Sequence, residues 1–180
     1  MLDYVAPAEA NSHIAASVVI DMPLEQAWEK LQDFSIAHNY VAGVTRTEIT
    51  TEKKTGLGAS RRVYLGDKKY NNETIIEFGN YNMLMRLHIK DKELPPFLMA
   101  QWRYALSKAT ENTTRATMTM SYATPWGLFG TLLNKLVIVG AAKKATAKVA
   151  SGFKHYYETN VPATDADRER LLPAVTVEAS

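Results

Sequence analysis

Cysteine is absent from all 180 residues. Disulfides, thiol catalysis and cysteine-ligated metals are thereby excluded, and a cytoplasmic setting is favoured. An excess of one charge is missing too. The 21 basic and 19 acidic residues leave a net charge of +2, too little to argue for nucleic acid. The opening residues, MLDYVAPAEANSH, lack a basic stretch followed by an apolar run, so no secretory signal is expected. The four histidines, His13, His38, His88 and His155, never fall at ligand spacing, and no metal site is expected. No nucleophile elbow occurs, because VASGF lacks the first glycine of that motif. GLGASR starts like a dinucleotide loop but has arginine in place of the last glycine and leads into a strand pattern. The residues therefore point to no catalytic group and no cofactor.

What is present is patterned apolar sequence. The longest such stretch, LFGTLLNKLVIVGAAKKATAKVASGF, begins at Leu128. Its apolar part, Leu128 to Ala142, is too short for a membrane span, which needs about 20 apolar residues, and Asn134 and Lys135 interrupt it. Instead the spacing predicts one long helix from Pro125 to Glu158. Ile138, Ala142, Ala145, Val149, Phe153 and Tyr156 form one apolar stripe, and Leu128, Leu132, Leu136 and Val139 form another on a different side. The small residues Ala142, Ala145 and Gly152 would let this helix lie close to a sheet. Five lysines and no acidic residue stand between Trp126 and Tyr157. A solvated face is the plain reading of that run, and transient contact with an anionic membrane is the sharper one.

Ahead of this helix the pattern alternates. Residues 1–12 read as a flexible arm and 161–180 as a flexible tail, with one domain between them at 13–160. HIAASVVID is a strand, LEQAWEKLQDF an amphipathic helix with Trp28 beside Leu24 and Leu31, and SIAHNYV a second short helix or turn. Six further strands are expected at 44–52, 59–65, 73–78, 83–89, 98–107 and 115–122. Strands in a meander with helices at its ends imply an α+β fold.

Period-two alternation gathers Met85 and Leu87 on one face, Trp102 and Tyr104 on another, and Met118 and Met120 on a third. Methionine and aromatics on inward faces suit plain core, and they equally suit a cavity for an irregular apolar ligand. Arg61 shares a face with Val63 and Leu65, and Glu73 shares one with Ile75. The opposite parity on that last strand, Thr74, Ile76 and Phe78, is just as apolar, so its inward face stays open. If the first set faces inward, Arg61 and Glu73 are charges in an apolar chamber, and each needs a partner. If it does not, the pair sits at strand ends in water.

Taken together, VVIDMPLEQAWEKLQDF, GLGASRRVYL, NNETIIEFGNYNMLMRLHI and TRATMTMSYATPWGLFGTLLNKL resemble, in their order, the SRPBCC superfamily of START-like proteins, and within it the polyketide cyclase/dehydrase and lipid-transport branch. The resemblance covers residues 13–160. It implies a helix-grip fold: a seven-stranded antiparallel sheet wrapped around the long C-terminal helix, with two short helices after strand 1 and a cavity between sheet and helix. It matches Arg61 to the arginine after the glycine turn and Glu73 to the glutamate early in the next strand, both near the pocket in relatives. It also sets Leu132 and Leu136 at the cavity mouth. GDKKYNN is a short link where hormone receptors of the superfamily carry a longer gating loop, which argues against a receptor role. The implied function is binding or transport of a hydrophobic small molecule or lipid. The alternative is an aromatase/cyclase-like enzyme, with Arg61 stabilising an enolate and Glu73 or Tyr104 moving protons.

Overall fold

Residues 12 to 20 alternate strictly. Ser12, Ile14, Ala16, Val18 and Ile20 are buried, and the residues between them are more open, so this segment forms a strand with one face on the core. It is β1, Ser12–Ile20, in a computed structural model that describes residues 10–67, 69–88, 97–124 and 138–180. Helix α1, Leu24–Gln32, and a 3-10 helix, Ile36–Asn39, follow. The six strands of the meander are β2 (Arg46–Ile49), β3 (Ser60–Leu65), β4 (Lys69–Gly79), β5 (Asn82–His88), β6 (Met99–Lys108) and β7 (Thr114–Ala123). Helix α2 spans Val139–Thr159. The predicted half of this helix from 125 to 137, with Leu132 and Leu136, lies outside the described residues. No described helix is long and apolar enough to cross a membrane.

All strand pairs are antiparallel, in the order β2-β3-β4-β5-β6-β7-β1-β8. The eighth strand, Thr176–Ala179, corrects the expectation of a flexible tail and adds to the expected seven. It pairs with the free edge of β1, and the backbones of His13 and Ser180 bond each other in both directions. Between α2 and β8 runs α3, Asp165–Leu171. Thr164 and Asp167 form a capping box there, each side chain satisfying the other's backbone N–H. The hydroxyl and amide of Thr164, with Arg170, hold the Asp167 carboxyl well below the usual carboxylate range. The tail reads as polar, but T-x-x-D at Thr164–Asp167, followed by RERL, is a start signal for a helix.

Helix α2 ends as the chemistry requires. Asn160 takes a left-handed conformation at the C-cap. The Lys30 ammonium donates to the Tyr156 carbonyl at 2.9 Å and to Asn160 Oδ1 at 2.6 Å, placing a cation at the negative end of the helix dipole. Two of the helix lysines are engaged internally, Lys148 with Glu169 and Lys154 with Glu158, while Lys143 and Lys144 are exposed. The buried stripe is Ala142, Thr146, Val149, Ala150, Phe153 and Tyr157; Ala145, expected on it, is exposed. Gly152 makes the close approach, but to the backbone carbonyl of Tyr40 rather than to the sheet. Any Cβ there would overlap that oxygen. Arg168 of α3, buried, donates to the same carbonyl at 3.4 Å, and Ala163 N–H bonds Asn39 O. The C-terminal segment thus holds the end of the 3-10 helix against α2.

Two irregularities in the meander have physical causes. A bulge between Ile75 and Glu77 lets β4 change face midway. Ile75 is fully buried, and Phe78 still reaches the core, packing on Trp28 with ring centroids 5.0 Å apart. That explains why both parities of β4 read as apolar. Leu84, which breaks the alternation of β5, lies between Glu77 and Arg103 in one cross-strand row. Those two side chains form an ion pair at 2.9 Å across it, and Leu84 is buried.

Candidate functional site

Register assembles the site. Arg61 of β3 and Glu73 of β4 stand directly opposite, and Glu73 in turn faces Leu87 of β5. One rung further, Ile75, Met85, Trp102 and Met120 lie across β4 to β7. All of these inward residues lie on the concave side, toward α2 and the 3-10 helix.

Arg61 and Glu73 are 3% and 6% exposed, which makes their pairing obligatory. Arg61 Nε donates to Glu73 Oε2 at 2.7 Å, Nη1 to the carbonyl of Phe34 at 2.9 Å, and Nη2 to the Met85 sulfur at 3.5 Å. The guanidinium also lies 4.1 Å over the Phe34 ring. One side chain therefore ties the sheet to the corner after α1. Burial alone would lower the Arg61 pKa. The Glu73 carboxylate and the phenols of Tyr40 and Tyr104 outweigh it, and the net shift is upward. Burial, followed by the neighbouring Tyr40 phenol, raises the Tyr104 pKa well above its ordinary value, and Arg61 only partly opposes this. Burial likewise raises Tyr40, against the pull of Arg61. Both phenols are therefore protonated at neutral pH.

Beside this cluster is a cavity of about 100 Å³. Its sheet wall comprises Val63 and Leu65 of β3, Asn71 of β4, Met85 and Leu87 of β5, and Trp102 of β6, with Arg61, Glu73 and Tyr104 as further polar members. Ala37, Val41 and Val44 from the 3-10 segment and Val149 of α2 close it. Thus Arg61, Val63, Leu65, Glu73, Met85, Leu87, Trp102 and Tyr104 come together around one space, and the face of β4 that alternation left open turns out to present Glu73 to it.

Three expected lining residues do not reach it. Ile75 and Met118 are fully buried within the main core and do not border the space, although they stand beside Met85 and Tyr104, which do. Met120 packs instead with Ile14, Ala100, Tyr122 and Ala142 in a second cluster near the start of α2. Ala37, Val41, Val44, Asn71, Val149 and Tyr40 were missed as site residues. Ile36, Ala37, Tyr40 and Val41 have the spacing of one helix face, and that signal in SIAHNYV would have found the missing wall.

The geometry has counterparts among known proteins. A protein from Thermus thermophilus superposes with a TM-score of 0.62 at 19% identity, covering 81% of this chain and 96% of its own. The Zhui aromatase/cyclase from Streptomyces sp. R1128 gives 0.58 at 13%, covering 82% and 96%. A START superfamily protein from Mycobacterium smegmatis gives 0.57 at 11%, covering 79% and 97%. At these identities the likeness establishes the shared helix-grip fold. A search of curated proteins finds no match. The family model described as polyketide cyclase/dehydrase and lipid transport matches residues 12–158, and the chain belongs to that family within the SRPBCC superfamily.

Proposed function

We propose that this protein is a cytoplasmic binder or carrier that holds a hydrophobic small molecule, or the apolar end of a lipid, in the cavity beneath Val149. The observation that carries this reading is the lining itself. Aliphatic side chains, Met85 and Trp102 surround an open space, while the only charged groups on its wall, among the described residues, are bonded to each other. A site built for binding is mostly apolar with a few polar groups that set orientation. Tyr104 and Asn71 are the uncharged polar groups in position to do so. The test is native mass spectrometry of the purified protein, followed by solvent extraction. An apolar compound that co-purifies with the wild type and is lost from Val63→Phe supports the reading. An equal yield of that compound from the variant would count against it.

One observation favours a second reading, a cyclase-like enzyme. The protonated Tyr104, hydrogen-bonded to Tyr40, lines the cavity near Arg61, the arrangement of a proton donor beside an electrostatic stabiliser. Against it, the guanidinium is already bonded to Glu73 and to Phe34 O. Conversion of a linear poly-β-ketone to a cyclised product by the wild type, but not by Tyr104→Phe, would establish the enzyme reading over passive binding.

A further inference from the structure

The charge state of the chamber restricts its ligand more sharply than its shape does. The cavity wall carries one cation and one anion among the described residues, Arg61 and Glu73, each more than nine-tenths buried. At 2.7 Å between Nε and Oε2 they form a pair with no net charge on the chamber wall. Arg61 is held further by the Phe34 carbonyl and the Met85 sulfur, so its charge is not waiting for a ligand. Among the described residues, a carboxylate or phosphate entering the space would lose its hydration and find no free counter-charge, only the neutral Tyr104 and Asn71 side chains. Those neutral groups suit a carbonyl or hydroxyl oxygen. The volume of about 100 Å³ is of the order of the apolar cavity, about 150 Å³, that accommodates benzene in an engineered protein.

Resting on the binding reading above, we infer that the chamber selects an electrically neutral, ring-sized molecule or ring-sized end group, and excludes carboxylates and phosphates of the same shape. Free fatty acids entering head first and aromatic acids are thereby disfavoured, while ketones, phenols and neutral ring systems are favoured.

Acetophenone and benzoate test this, because they share a ring and a planar three-atom substituent and differ in charge. Binding of each to the full-length protein is followed through the methyl resonance of Met85, which lines the cavity, in methionine-labelled samples. Acetophenone is expected to bind at least about tenfold more tightly than benzoate to the wild type. Glu73→Gln frees the Arg61 charge and should shift that ratio at least about tenfold toward benzoate. Arg61→Gln/Glu73→Gln, neutral again, should restore the preference for acetophenone. Equal or tighter binding of benzoate by the wild type overturns the inference even if neither variant folds, and leaves the binding reading intact. An unchanged ratio in a folded Glu73→Gln protein also overturns it. If neither probe gives a saturable shift at Met85, the chamber does not bind ring-sized ligands, and the binding reading falls together with the inference.

Discussion

Val149 and Phe153 lie one turn apart on α2 and face interiors of opposite character. Phe153 is fully buried against Tyr40, Tyr104 and Tyr157, with its ring 3.6 Å from that of Tyr157. Gly152 brings the helix directly onto the Tyr40 backbone, and Arg168 seals the contact from the outside. Val149, by contrast, borders open space. The same helix is thus an anchor at its C-terminal end and a roof one turn earlier. The difference is a division of labour: close packing around Phe153 fixes the position of a wall that is left unfilled around Val149. A cavity persists only where its lining cannot collapse into it, and part of this wall is an ion pair that cannot be moved without stranding a charge.

The sharpest way to break the comparison is to truncate each residue in turn. Phe153→Ala should destabilise the fold by about 3–5 kcal/mol, whereas Val149→Ala should cost less than about 2 kcal/mol because part of its surface already faces a void. Chemical denaturation of the two variants measures the contrast, and equal costs would erase it. Removing the ion pair comes next. Arg61→Met alone leaves a buried carboxylate and should cost about 3–5 kcal/mol, with Arg61→Met/Glu73→Met recovering most of the loss. Additive single effects in a double-mutant cycle would mean the two side chains are independent. A smaller effect is expected from Gly152→Ala, which forces α2 away from Tyr40 and should cost about 1–3 kcal/mol while widening the anchor end. The smallest is a pH effect. Burial raises the pKa values of Tyr40, Tyr104 and Tyr157. In the unfolded chain these phenols ionise near pH 10. Their contribution is therefore complete below about pH 10 and is lost as pH rises toward the higher folded values. Stability should fall on the alkaline side, and Tyr104→Phe should blunt that fall; an unaltered alkaline limb in melts of this variant would contradict it.

Much of this arrangement was legible in the residues. Strict alternation in β1 identified an inward face, and the parity of Arg61 with Val63 raised a buried charge as one of two readings, the one that the burial of Arg61 and Glu73 supports. Three features were not legible for definite reasons. The bulge in β4 makes both parities apolar, so alternation alone cannot choose a face there. A period of two gives the face a residue is on and not whether that residue borders a void, which is why Ile75 and Met118 were grouped with Met85. The C-terminal segment reads as polar because α3 buries little beyond Arg168, and β8 is a four-residue edge strand with a single half-buried valine, Val177. Its order comes from backbone pairing and a capping box rather than from hydrophobic pattern.

The central claim is that the space beneath Val149 is a ligand chamber and not a flaw in packing. A crystal structure of the wild-type protein soaked with acetophenone tests it most directly. The expected result is a single ordered molecule with its ring between Val63 and Trp102, its oxygen toward Tyr104 or Asn71, and the Arg61–Glu73 bond intact. A chamber found empty, or filled by side chains that have collapsed into it while the soaked molecule sits elsewhere, would contradict that claim.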